Sequence, residues 1–169
     1  MKTFIAVTPL AAFMAVVLLA LAAPWTVPGV HAMGSDPAPA PRAGNPQQDF
    51  NNGRAAINAG QYDKGIEQMK KVVAAEPRNA DAYNYLGFAY RKKGDVKQAA
   101  ANYETALKLN ANHKGALEYQ GELFLKLNKT EDAMKNRARL QVLCPTGCAE
   151  LKELDRAIAD HKATGGQNT

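Results

Sequence analysis

Aromatic side chains are scarce in this sequence: one Trp, six Tyr and five Phe make up 7% of 169 residues. So small a supply excludes a sandwich or barrel around one large core, and it favours thin layers packed through alanine. Acidic residues are missing before Asp36, and Lys2 is the sole basic residue before Arg42. The net charge of +5 is spread with both signs interspersed. There is no clustered basic stripe of the kind that tracks a phosphate backbone, so nucleic acid is not an expected partner. Also missing are G-x-S-x-G, H-E-x-x-H, a Walker loop and Cys-x-x-Cys-His, so no motif points to a nucleophile, a zinc hydrolase, a nucleotide or haem. Paired carboxylates such as Glu150 and Glu153 read as the solvated face of a helix. Neither an enzyme nor a cofactor is expected.

The charge-poor beginning has a pattern of its own. After Lys2 an apolar run extends from Phe4 to Trp25, broken by Thr8, Pro9 and Pro24, and Val30-His31-Ala32 follows. A charged start, an apolar middle and small residues at the −3 and −1 positions read as a secretory signal peptide over 1–32. The expected location is the periplasm, with no membrane contact after cleavage. The alternative is an uncleaved N-terminal anchor, since about 20 apolar residues span a bilayer. With no Cys near the cleavage site, a lipoprotein anchor is disfavoured. Cleavage after Ala32 would leave 20 basic and 16 acidic residues. Residues 33–47 are Ala/Pro-rich and read as an extended tether, while 163–169 is a polar, Gly-rich tail.

Between these ends the sequence repeats itself. Gly53, Gly87 and Gly121 are 34 residues apart, as are Gly65, Ala99 and Ala133, and Gly60, Gly94 and Asn128. Pro77 and Pro145 are two periods apart. Several independent registers agreeing on one period indicate stacked structural repeats.

The middle repeat carries Tyr83, Leu86, Gly87 and Tyr90, then Ala99 and Tyr103, with Ala106 one turn further on. These residues resemble the aromatic-x2-L-G-x2-Y and A-x3-F pattern of the tetratricopeptide repeat (TPR) family. Leu117, Gly121, Phe124, Ala133 and Pro145 match in the third repeat, and Gly53, Gly65, Met69 and Pro77 in the first. The resemblance covers roughly 46–147. It implies an all-α, right-handed superhelical solenoid of three helix pairs (46–79, 80–113 and 114–147, the array spanning 48–147) closed by a capping helix over 148–162. Helix pairs are expected near 47–59 and 62–75, 80–93 and 96–109, 114–127 and 130–143. Tyr83, Leu86 and Tyr90 share one helical face, which packs on the preceding repeat. Asp95 and Thr130 follow the inter-helix turns and suit N-caps. Gln120 and Arg137 depart from the pattern at usual core positions. In the last helix Leu151, Leu154, Ile158 and His161 fall at heptad-like intervals.

Cys144-Pro145-Thr146-Gly147-Cys148 sits between the third repeat and the capping helix. Cβ atoms at i and i+4 of a continuous helix lie about 5–6 Å apart, whereas a disulfide wants about 3.5–4.5 Å. Pro145 and Gly147 break the helix and let the loop curl. In an oxidising compartment a disulfide is the simplest reading of the pair. Cuprous copper on two thiolates or a redox pair are the alternatives, though His113 and His161 have no spacing that completes a metal site.

The family resemblance also implies a non-catalytic interaction module, with the first helices of the pairs lining a concave groove for a protein or peptide. Counted by period, the candidate contacts are Arg54 and Asn58, then Asn84, Phe88, Arg91 and Lys92, then Glu118, Glu122 and Lys126. Phe88, an aromatic among polar neighbours, is the expected anchor. The clamp of Lys, Asn and Arg that the chaperone-binding members use for a terminal carboxylate would fall on Phe50, Arg54, Tyr85, Gly115 and Tyr119, and that pattern fails here. The expected function is a scaffold or adaptor of the bacterial cell envelope; the alternatives are a copper or thiol-redox accessory acting through Cys144 and Cys148, or a subunit of an envelope assembly.

Overall fold

The computed structural model describes residues 44–165. The expected signal segment, residues 33–43 of the tether and residues 166–169 of the tail lie outside the described residues. Within them the chain forms α1 (Pro46–Asn58), α2 (Tyr62–Ala75), α3 (Ala80–Lys92), α4 (Val96–Leu109), α5 (Lys114–Lys126), α6 (Thr130–Leu143) and α7 (Ala149–Ala163). This is the expected all-α tetratricopeptide-type solenoid. Strands are absent among the described residues.

Local chemistry sets the helix boundaries. The Asn45 side chain accepts from the N–H groups of Gln47 and Gln48, and Pro46 starts the helix, so α1 begins inside the expected tether. Asn79, Asp95 and His113 cap α3, α4 and α5 by accepting from Ala82, Gln98 and Ala116. Thr130 departs from expectation. It is the first residue of α6, Lys129 holds the cap position, and no side chain caps that end. The turns within the three pairs each place one residue in the left-handed region: Gly60, Gly94 and Asn128.

Close approach within the pairs explains the glycine register. A Cβ on Gly53 would stand 3.0 Å from the Met69 methyl, and one on Gly87 would stand 2.5 Å from the Tyr103 ring. Met69 and Tyr103 are one period apart and both are fully buried. The third repeat has Arg137 at that register and breaks the rule. Arg137 turns outward to Asp155, with Nε donating to Oδ1 at 2.6 Å and a guanidinium NH2 donating to Oδ2 at 3.3 Å. The space over Gly121 is filled by Leu154 of α7, 2.7 Å from where a Cβ would stand. Accordingly α7 packs more extensively on α5 than on α6. The other departure, Gln120, is resolved by Asn136, whose Nδ2 donates to Gln120 Oε1 at 3.0 Å and to the Leu117 carbonyl at 3.1 Å.

The buried side chains form three clusters along the array. Ile57, Ile66, Met69, Val72, Ala82, Leu86 and Ala89 join the first two repeats, with Tyr83 and Tyr90 packed against them. Ala99, Tyr103 and Leu123 form the middle cluster. Leu117, Leu125, Ala133, Leu140 and Cys144 close the end with Leu151, Leu154 and Ile158 of α7. Each of those three α7 side chains contributes about 1.5–3 kcal/mol by leaving water.

Candidate functional site

The face formed by α1, α3 and α5 carries a 34-residue ladder of candidate contacts. Arg54, Phe88 and Glu122 stand at one register, and Asn58, Lys92 and Lys126 one turn further on. The structure separates these residues by depth. Arg54, Asn58, Lys92 and Lys126 are exposed, Phe88, Arg91 and Glu122 half-buried, and Asn84 and Glu118 buried.

Arg91 organises the centre. Its register mates Ile57 and Leu125 are buried apolar residues, so a charge here must be compensated. Its guanidinium lies 5.4 Å from the Phe88 ring centroid and 5.5 Å from that of Tyr119. It also pairs with Glu122 of the next repeat at 2.6 Å. The Lys92 ammonium also lies 5.4 Å from the Phe88 ring centroid. The rings of Phe88 and Tyr119 are 5.0 Å apart, Tyr103 and Tyr119 6.4 Å, and Phe50 and Tyr85 meet edge to face at 5.6 Å.

Phe50, Tyr85 and Tyr119 therefore belong to the site, although the sequence reading weighed them only as lost clamp positions. The signal was available. Tyr85 and Tyr119 share the 34-residue spacing, and each lies three residues before the Phe88 and Glu122 register, on the same helical face.

Two buried polar residues sit at equivalent places on neighbouring helices. Asn84 of α3 is 7% exposed, and its Oδ1 takes no hydrogen bond among the described residues. Its Nδ2 reaches α5, 3.3 Å from where a Cβ on Gly115 would stand. One turn along α5, Glu118 is 8% exposed. Burial pushes the Glu118 carboxyl up to about 8, helped by Glu122, Glu150 and Glu153 and opposed by Arg91. Burial, then Glu118 and Glu122, also raises the Tyr119 phenol. At the base of α5, His113 Nε2 lies 2.9 Å from Asp81 Oδ1, without hydrogen-bond alignment.

Cys144 ends α6, Cys148 precedes α7, and the structure joins them in a disulfide with their Cα atoms 5.8 Å apart. Gly147 takes the left-handed conformation that turns the chain, and its N–H donates to the Cys144 carbonyl at 2.8 Å. Among the described residues no three His, Cys, Asp or Glu side chains gather as a metal site. No described helix is long and apolar enough to cross a membrane.

Residues 80–113 match the family profile of the tetratricopeptide repeat. Cellulose synthase operon protein C of Escherichia coli (strain K12) is 41% identical over 58 residues, 34% of this chain and 5% of that protein. The chloroplastic tetratricopeptide repeat domain-containing protein PYG7 of Arabidopsis thaliana is 31% identical over 88 residues, 52% of this chain and 26% of that one. The chain thus spans a small part of the length of either relative. Among solved structures, the first TPR domain of Spaghetti (RPAP3) bound to the HSP90 peptide SRMEEVD superposes with a TM-score of 0.61. It is 25% identical, and the alignment covers 70% of this chain and 93% of that one. The fold is that of tetratricopeptide repeat domains, and one of its repeats, residues 80–113, matches the family profile.

Proposed function

We propose that this protein is a non-catalytic scaffold or adaptor of the bacterial cell envelope, holding a peptide or protein segment against the α1/α3/α5 face. Domains of this fold typically mediate protein–protein interaction, and the Spaghetti domain is bound to a peptide. The observation that carries the reading is the half-buried array of Phe50, Tyr85, Phe88 and Tyr119, braced by Arg91 and Glu122. Large rings held rigid on a surface supply contact area at little entropic cost, the usual makeup of an interface hot spot. Rings stand at three of the five positions of the charged clamp suited to a terminal carboxylate, which favours the body of a segment over its end. The envelope location rests on the N-terminal sequence pattern, and the disulfide at 144–148, read as a staple for α7, suits an oxidising compartment.

The test compares capture from envelope extract by the mature wild type and by Phe88→Ala. Losing one anchor ring should weaken retention of a specific partner by about 2 kcal/mol, roughly thirtyfold, with only a modest drop in melting temperature and the helical fold retained. Equal retention by both proteins would remove this face from consideration.

A further inference from the structure

We propose that the α5 end of this face, where Glu118 lies between α3 and α7, is a subsite for a Lys or Arg side chain of the bound segment. The proposal deepens the groove reading above and rests on it.

The first support is electrostatic geometry. Glu122 of α5 and Glu150 and Glu153 of α7 all act on Glu118, each raising the cost of its negative charge. Two have cationic partners: Glu122 pairs with Arg91, and Glu153 pairs with Arg156. Glu118 takes no hydrogen bond or ion pair among the described residues, although 92% of it is buried. A carboxylate withdrawn from water, with no donor of its own, sits in a field that a cation would relieve.

The second support is independent of the carboxylates. Asn84 of α3 reaches across to α5 with its Nδ2 beside Gly115, one turn before Glu118, and its buried Oδ1 is an acceptor with no donor among the described residues. Buried polar atoms are nearly always satisfied, so an orphaned acceptor marks the place of a missing donor. An ammonium or guanidinium brings charge and several N–H donors together. The neighbouring Arg91, itself between rings and a carboxylate, shows that these surroundings accept a cation.

The α7 helix makes the subsite particular to this end of the array. That helix packs on α5 far more extensively than α3 packs on α1 or on α5, and it brings Glu150 and Glu153 toward Glu118. A segment whose aromatic or aliphatic body lies on Phe88 would thus place a basic side chain one repeat further along.

The probe is an acetylated, amidated octapeptide of alternating Ala and Lys, titrated into the full chain, with the Ala/Glu peptide as its counterpart. Saturable binding of the Lys peptide should weaken at least about fivefold in Glu118→Gln and stay unchanged in Glu67→Gln, a charge loss remote on α2. Wild-type affinity should also rise between pH 6.5 and 8.5 as Glu118 ionises, a rise that Glu118→Gln abolishes. Equal affinity of wild type and Glu118→Gln, or preference for the Ala/Glu peptide, overturns the subsite. Loss of Phe88-dependent capture bears on the groove itself, so the two readings fail by different measurements. Circular dichroism of Glu118→Gln confirms that the comparison is made between folded proteins.

Discussion

Glu118 holds a carboxyl group in a place that its register mates fill with Phe50 and Asn84, and that substitution has a cost dependent on pH. Its folded value near 8 lies above the ordinary value of 4.5. Between those values the folded chain holds a proton that the unfolded chain has released. Stability should therefore fall as pH rises from about 4.5 to 8, by about 2–4 kcal/mol at most. Glu118→Gln should melt higher than wild type at pH 8.5 and level with it at pH 4; parallel melting curves across that range would show that the group titrates normally. Two glycines make a second contrast at this scale. Alanine in a helix interior gains up to about 1 kcal/mol over glycine, and at Gly53 the flexible Met69 methyl can yield. At Gly87 the obstacle is the fully buried Tyr103 ring. Gly53→Ala should be close to neutral, whereas Gly87→Ala should destabilise by about 1–3 kcal/mol, measured by urea unfolding.

At the scale of elements, α7 is more than a polar lid. Leu154 takes over the role that Met69 and Tyr103 play in the earlier repeats, because Arg137 cannot be buried at that register. Leu154→Ala should leave a cavity against Gly121 and cost about 2–5 kcal/mol. Arg137→Ala, which breaks a partly exposed pair with Asp155, should cost less than about 1 kcal/mol. A reversed ranking in denaturant melts would mean that the ion pair rather than the leucine holds α7. The 144–148 link closes a loop of five residues, so replacing both cysteines with Ser should cost about 1–3 kcal/mol. Partner capture through Phe88 should persist in that variant; two free thiols in protein isolated from the envelope would remove the staple and favour a metal or redox use.

The molecule as a whole is an array in which each pair contacts its neighbours, so the damage from losing one end should be graded. A chain stopped after Leu143 would uncover Leu117, Leu125 and Leu140. Its third repeat should lose protection from hydrogen exchange while α1–α4 retain most of theirs; uniform loss of protection would show a single cooperative unit. The helix borders, the turn residues and the clusters of the first two repeats were legible in the sequence, because caps, left-handed turns and helical periodicity act over a few residues. Thr130 misled because a hydroxyl beside a turn is a good cap only when the backbone places it one position earlier. The groove ladder was legible as a register and not as a depth: Arg54 and Glu118 look alike as polar helix positions, and their neighbours decide that one is exposed and the other buried. The 34-residue period, the helix pairs and the small residues where helices cross follow from local spacing that recurs, so they can be read without any tertiary contact. Long-range packing places Leu154 in the space over Gly121, sets rings from α3 and α5 against Arg91, and leaves Glu118 without a donor. Those outcomes depend on how a non-repeating helix docks, and an amphipathic stripe says that a face will be buried without saying which neighbour will bury it.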